Sequence, residues 1–567
     1  MHDVVIRNAS IVDGTGGPQQ QGDVAIDADR IVSVGGKAGR GRREIDAAGR
    51  LVTPGWVDIH THYDGQATWD PIMAPSSWHG VTTVVMGNCG VGFAPVRPGR
   101  EQFLIELMEG VEDIPGSALA EGITWEWESF PEYLDALEKL PRTIDVGAQV
   151  PHGAVRAYVM GERCNGEAQP KPEQLKEMAA LVREGVAAGG LGFTSSRTLL
   201  HRDVHGEYVP GTFAGSDEML ALGLGMKGLG HGVFELVSDH LGEEDEWTWV
   251  KAFAQQTGLA VTLIPTSPAA YENGHVYRVA EEARQQGMEI LPQIAGRPTG
   301  ILHGLHSSFH VFVGTPTWQR ELAGRDLTAI VATMGKPEIR AAMLQEATNQ
   351  AMGFMGSPEQ VLKQVFPLGE RPNYEPAETD SVAGIAADRG QGALEVMYEL
   401  LLGAEGRELF YQPLGAYSDF NLDERRETMQ HPNVLMGLSD GGAHCGVIAD
   451  AGMPTFIMTH WARDRTRGER LPLEFIVHSL SARTAAAYGI RDRGTLEPGK
   501  LADVNVIDFD RLRLYRPEAV FDLPLGGRRL IQRVDGYDYT LKSGEVTFAS
   551  GEPTGARPGS LVRGGAT

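Results

Sequence analysis

The chain has 567 residues, 42% of them hydrophobic and 22% charged, enough for one large core and a smaller one, since single cores stop growing near ~250–300 residues. Fifty basic against 75 acidic residues leave a formal net charge of −25, which repels a phosphate backbone and argues against a nucleic-acid partner. No apolar run approaches the ~20 residues of a membrane span, and three scattered cysteines build no disulfide framework, so a cytoplasmic protein with no membrane partner is expected.

The opening MHDVVIRNASIVDGTGG lacks the basic and long apolar regions of a secretory signal and reads as a strand and a turn. Residues 1 to about 50 alternate short β-rich runs with Gly and Asp turns, the pattern of an antiparallel meander. A second β-rich group, ADVNVIDFD and RRLIQRVDGYDYTLKSGEVTF, closes the chain. The two groups are expected to pair into one small β-sandwich that holds both termini, with the Gly-rich tail GARPGSLVRGGAT frayed beyond it.

Between these ends, eight apolar runs recur: LVTPGWVDIHTH, GVTTVVMGNCG, TIDVGAQVPHG, GGLGFTSSR, HGVFELVSDH, GLAVTLIPTS, GMEILPQIAGR and NVLMGLSDGGAH. Continuous apolar runs suit strands buried on both faces, as in a parallel sheet. Amphipathic segments separate several of them; in PEQLKEMAALVREGVAAGG, Leu175, Met178, Ala179, Leu181 and Val182 make one stripe. The pattern predicts an α/β fold, a (β/α)8 TIM-like barrel, with an open doubly wound sheet as the alternative. The expected division is 1–53 and 491–567 for the sandwich and 54–490 for the barrel. The seventh and eighth runs lie about 140 residues apart, so a structured insertion or lid is expected near 297–430.

In a barrel the strand ends converge on one rim. The polar residues there are His60, His62, Cys89, His152, Ser195, Ser196, Asp239, His240, Thr266, Arg297, Asp440 and His444. Histidines at i and i+2 of a strand face one way, so His60 and His62 can reach a single cation; imidazole, thiolate and carboxylate together suit Zn²⁺. Such an ion lowers the pKa of its water, and Asp440 can take the proton. The plainer readings stand beside these: a surface turn for His60 and His62, a packed thiol for Cys89, and an Asx-turn or N-cap for Asp440. His152, Asp239 and His240 are open between structural and functional roles, and the histidines of ILHGLHSSFH lean structural.

These motifs together resemble the amidohydrolase superfamily, and within it the N-acyl-D-amino-acid deacylase (D-aminoacylase) family. The resemblance runs from DVVIRNASIVDGTG through PGWVDIHTHYD, GNCGVGFAP, PHGAVRAYVMG, GLGFTSSR and LSDGGAH to RGTLEPGKLADVNVIDFD. It implies a metal-bearing barrel joined to a small sandwich, with His60 and His62 as first-strand ligands, Cys89 as the metal-binding cysteine and Asp440 as both ligand and proton shuttle. Two departures are visible. Where the family places histidine ligands after strands five and six, this chain reads ELVSDHLGEED and LIPTSPAA, with His240 displaced and Thr266 or Ser267 in place of imidazole. One zinc ion is therefore expected rather than two. The family's arginine segment after strand eight is also replaced, leaving Arg297, Arg197 or Arg463 as candidate clamps for a substrate carboxylate.

The expectation is a zinc-dependent hydrolase of a linear carbon–nitrogen bond in a small-molecule amide, such as an N-acyl amino acid. Asp440 is its catalytic group, with His152, Ser196 and Arg297 toward the substrate and His152 near the oxyanion. A cyclic-amide or lactone hydrolase is the rival reaction, and a barrel that has lost its ligands and only binds is the rival class. A homo-oligomer is compatible with the sequence.

Overall fold

A computed structural model describes residues 1–266, 268–271 and 274–565. Each of the eight apolar runs contributes a parallel strand. Trp56–Asp58, Val81–Met86 and Asp145–Ala148 pair in that order, as do Val150–Pro151, Gly192–Arg197, Val233–Ser238, Ala260–Pro265, Ile290–Ile294 and Leu435–Met436. Only Gln149 separates Asp145–Ala148 from Val150–Pro151, so the two rows continue one another. At the far side Thr61 and Gly441 form a parallel bridge, and the His62 N–H donates to the Gly441 carbonyl at 2.7 Å. The order is sequential and its two ends meet, which is TIM-barrel-like and not doubly wound.

Helices cover the outer faces of these strands. Pro172–Ala187 starts on a proline, where the missing N–H costs nothing, and buries Met178, Val182 and Val186. Ser216–Leu224, Glu244–Thr257 and His275–Gln285 follow the fourth, fifth and sixth strands in the same manner. With helices outside and side chains within, every residue of Val233–Ser238 is buried, which is why that run carries no alternation. No helix among the described residues is long and apolar enough to cross a membrane.

The two chain ends share one nine-stranded sheet: Leu51–Pro54 pairs antiparallel with Val504–Ile507, and one core joins Ile6, Ile11, Val24 and Ile26 to Val504, Val506 and Leu541. The first 50 residues are not the simple antiparallel meander expected. His2–Ile11 pairs in parallel with both Gly41–Asp46 and Leu51–Pro54, because those strands return to it on the same side after Gln20–Asp27 has turned away. The closing β group also divides. Gly527–Asp535 pairs with Arg513–Leu523 as a separate hairpin, while Val504–Ile507 and the strands from Tyr537–Lys542 onward enter the large sheet. Nor is the tail frayed through to 564: the Ser560 N–H donates to Asp145 Oδ1 at 2.7 Å, Val562 to the Val146 carbonyl and Gly564 to the Gly189 carbonyl, both at 2.8 Å.

The stretch near 297–430 has its own core, built on Val311, Phe312, Trp318, Met343, Leu362 and Met397. The segment DLTAIVATMGKPEIRAAMLQEA forms two helices, Leu327–Met334 and Pro337–Thr348; Asp326 caps the first by accepting from the Ala329 N–H at 2.9 Å, and Pro337 opens the second. His303 is buried and 2.7 Å from Gln412 Oε1, while buried His310 lies edge-on to Trp318. The hairpin strand Gly527–Asp535 lies against the eighth-strand loop, with the Leu530 N–H donating to the Cys445 carbonyl at 2.6 Å.

Candidate metal centre

His60 and His62 follow the first strand, and each is 1% exposed, so neither lies on a surface turn. The second strand ends in Gly87-Asn88-Cys89-Gly90, where φ is +82° at Gly87, +56° at Cys89 and +72° at Gly90. A Cβ on Gly87 would meet the Gln149 carbonyl oxygen at 2.4 Å, so glycine lets the chain turn there at close quarters. This turn brings Cys89 Sγ to 3.4 Å from His60 Nε2. Donor atoms of His60, His62 and Cys89 all lie within 4.8 Å of one another.

The eighth-strand motif LSDGGAH supplies the carboxylate. Asp440 holds φ +49°, a strained value for a residue with a Cβ, and its N–H donates to the His60 carbonyl at 3.2 Å. Its Oδ1 lies 3.5 Å from His60 Nε2 and 3.8 Å from His62 Nε2.

Burial dominates the electrostatics of this cluster. It pushes Asp440 and Glu235 each up to about 8, Asp64 to about 7, and the Cys89 thiol and Glu112 well above their usual ranges. It lowers His60 to about 3 and holds His62 well below the usual imidazole range. Among the described residues, no lysine or arginine forms an ion pair with Glu112, Glu235 or Asp440. Several buried atoms also lack a hydrogen-bond partner: Nδ1 of His60 and of His62, Oε1 of Glu235 and both carboxylate oxygens of Glu112. Buried acids with no cationic residue, beside two neutral imidazoles and a thiol, fit a divalent cation, and the N, S and O donor set fits zinc.

Glu112 and Glu235 belong to this site and are absent from the motif reading. Glu112 ends the helix Glu101–Glu112, and its Oε1 is 3.3 Å from His62 Nδ1 while its Oε2 is 3.4 Å from His444 Nε2. Nothing in EGVEDIP singles it out. Glu235 accepts from the Cys89 N–H at 3.1 Å, and an acid inside the apolar run HGVFELV was a usable signal.

The other sequence-predicted residues have engagements of their own. His152 is fully buried, with Nδ1 2.7 Å from Ser195 Oγ and Nε2 3.1 Å from Glu218 Oε1. Ser196 Oγ is 2.8 Å from Nδ1 of His201, a buried-side imidazole that burial lowers to about 4. Arg297 Nη2 bonds Asp450 Oδ1 at 2.7 Å, and the guanidinium sits 4.0 Å from the centre of the Tyr374 ring. Arg197 pairs with Glu246, and Arg463 with Asp464 and the Phe509 and Leu512 carbonyls. The Asp239 carboxylate accepts from Thr198 Oγ1, the Leu199 N–H and Thr266 Oγ1, tying strand ends four, five and six together. His240 faces solvent beside Glu243 at 3.0 Å, and Ser267 lies outside the described residues.

A family model described as "Amidohydrolase family" matches residues 43–548. The chain is 25% identical to a D-aminoacylase of Alcaligenes xylosoxydans xylosoxydans over 89% of its own length and 88% of the relative's. It is 26% identical to an N-acyl-D-aspartate deacylase of the same organism over 99% and 95%. Among solved structures, a D-aminoacylase superposes with a TM-score of 0.64 at 21% identity, covering 99% of this chain and 100% of that one. The N-acyl-D-glutamate deacylase of Bordetella bronchiseptica, complexed with zinc and a phosphonate inhibitor, gives 0.64 at 23% identity over 99% of each chain.

Proposed function

The chain belongs to the amidohydrolase family, and from that membership we propose that it is a zinc-dependent hydrolase of a linear amide in a small molecule, an N-acyl amino acid or a close analogue. One observation carries the reading: the donor atoms of His60, His62 and Cys89 gather within 4.8 Å of one another, with Asp440 Oδ1 3.5 Å from His60 Nε2. The relatives' own activities, D-aminoacylase and N-acyl-D-aspartate deacylase, support the choice of substrate class. We read the eight parallel strands as a closed (β/α)8 barrel, the paired chain ends as its small sandwich, and the segment near 297–430 as the lid. The Thr61–Gly441 bridge, the shared core of the two ends and the insertion's separate core support these assignments. Three free, buried cysteines suit a reducing cytoplasm.

His60, His62, Cys89 and Asp440 would hold one zinc ion. Such an ion supplies a Lewis acid that acidifies water and polarises an amide carbonyl. Asp440 takes a proton from the attacking water at Oδ1 and returns it to the departing amine nitrogen. Burial of both imidazoles and of Glu235 beneath Cys89 keeps bulk water from competing for the donors. Ser196, with His201 behind it, is the polar group offered to the substrate. In this reading His152 and Arg297 brace the frame, because both His152 nitrogens are engaged by Ser195 and Glu218, and both terminal nitrogens of Arg297 by Asp450 and the Pro298 carbonyl.

The test combines metal analysis of protein purified without chelator with turnover of N-acetyl-D-amino acids, N-acetyl-L-amino acids, hydantoins and lactones. Near one zinc per chain and turnover of a linear N-acyl amino acid are expected. Metal below a few tenths per chain would support the binding-protein alternative, and turnover confined to hydantoins or lactones would overturn the linear-amide assignment.

A further inference from the structure

The helix Glu101–Glu112 buries Leu104, Ile105, Leu107, Met108 and Val111, so its position is set by the main core. Its C-terminal end is tied to the eighth-strand loop twice: the His444 N–H donates to the Glu112 carbonyl, and the Gly446 N–H donates to Asp113 Oδ2 at 2.9 Å. Those ties hold the Glu112 side chain, 1% exposed, between two imidazoles, with Oε1 3.3 Å from His62 Nδ1 and Oε2 3.4 Å from His444 Nε2.

A neutral imidazole has one protonated and one bare nitrogen. His62 Nε2 is the nitrogen that faces Asp440, at 3.8 Å. If Nε2 gives its lone pair to a cation, the proton stands on Nδ1, and a buried N–H there requires an acceptor. Glu112 Oε1 is within reach, although its present alignment falls short of a hydrogen bond.

We propose that Glu112 is a positioning residue: its carboxylate accepts from His62 Nδ1–H, fixes the tautomer that presents Nε2 to the cation, and through its second oxygen pins the partly exposed ring of His444. The proposal rests on His60, His62 and Cys89 being metal ligands. It makes the two histidines unequal, since among the described residues a carboxylate pairs with Nδ1 of His62, whereas in His60 only Nε2 pairs with one. Outer carboxylates of this kind commonly change metal affinity or activity by about 10–100-fold.

Full-length wild type, Glu112→Gln and Glu112→Asp are compared at one pH. Zinc affinity is read by competition with a chromophoric chelator, and the melting temperature is read after zinc removal. Glu112→Gln is expected to bind zinc about 10–100-fold more weakly, with the zinc-free melting temperature within about 2 °C of wild type. Glu112→Asp keeps the carboxyl group but retracts it by one methylene, so it separates positioning from the mere presence of an acid. It is expected to weaken zinc at least ~5-fold and to alter the visible spectrum of the cobalt-substituted protein. Affinity within twofold of wild type in Glu112→Asp would overturn the proposal, whether or not Glu112→Gln folds. A wild type that binds no zinc would overturn the metal-ligand reading and this inference with it; a wild type that binds zinc, beside an unaffected Glu112→Asp, would overturn the inference alone.

Discussion

Asp440 and His60 are held to each other twice: the Asp440 N–H donates to the His60 carbonyl at 3.2 Å, and Asp440 Oδ1 lies 3.5 Å from Nε2 of the same histidine. The main-chain bond locks the eighth-strand loop onto the first, so the carboxylate stays at the cluster despite its left-handed φ of +49°. Asp440→Asn keeps the shape and the main-chain bond but removes the proton acceptor. The variant is expected to lose about 10²–10⁴-fold in kcat on an N-acyl amino acid while remaining folded. Near wild-type turnover would remove Asp440 from the chemistry.

Zinc is expected to stabilise the protein by mass action, because among the described residues no lysine or arginine pairs with Glu112 or Asp440. At a zinc concentration 100 times the Kd the gain is about 2.7 kcal/mol. Cys89→Ala deletes one donor, so the zinc-induced rise in Tm should shrink by more than half; differential scanning calorimetry with and without zinc checks it. An undiminished rise would place the ion away from Cys89.

Arg297 and Asp450 form a buried pair, each side chain 2% exposed. Removing one partner of such a pair strands the other's charge, at a cost of about 3–5 kcal/mol. Arg297→Ala is therefore expected to lower the urea midpoint strongly and to leave KM of the remaining folded enzyme within a few-fold. The opposite pattern, full stability with KM raised a hundredfold, would make Arg297 the substrate's carboxylate clamp.

Glu375 predicts the acid limb of stability. Burial raises its pKa, but the His460 imidazole 3.1 Å away and hydrogen bonds from Arg465 and the Leu422 N–H outweigh that and hold it at about 2, against a usual 4.5. Because the folded value is the lower one, its contribution is complete above pH 4.5 and is lost as pH falls toward 2. Glu375→Gln should be less stable than wild type at pH 7, and the gap should narrow between pH 4.5 and 2. Urea midpoints at pH 7, 5, 4 and 3 measure it; a constant gap would show that the loss is packing and not charge.

Much of the architecture was legible because it depends on neighbours in sequence. Each of the eight apolar runs contains a parallel strand, and the His60–His62 spacing encodes a shared direction along an extended chain. The glycines around Cys89 mark a turn by the left-handed φ it requires. Other features were misread where a short pattern serves two arrangements. RRLIQRVD is β-rich like the strands of the large sheet, yet Gly527–Asp535 pairs with Arg513–Leu523 outside that sheet. The Gly-rich tail looks frayed by composition, yet main-chain bonds to Asp145, Val146 and Gly189 hold it.

By itself the sequence determined the α/β alternation, the strand ends at which polar residues gather, and the identity of His60, His62, Cys89 and Asp440 as the candidate metal donors. Only the tertiary structure decided that Glu112 and Glu235 stand with them, and that Arg297, Arg197, Arg463 and His152 already have partners. Periodicity and turn chemistry act over a few residues, so they are written in consecutive letters. Which buried acid meets which imidazole, or which arginine finds an aspartate 153 positions away, depends on how whole elements pack, and no local pattern carries that.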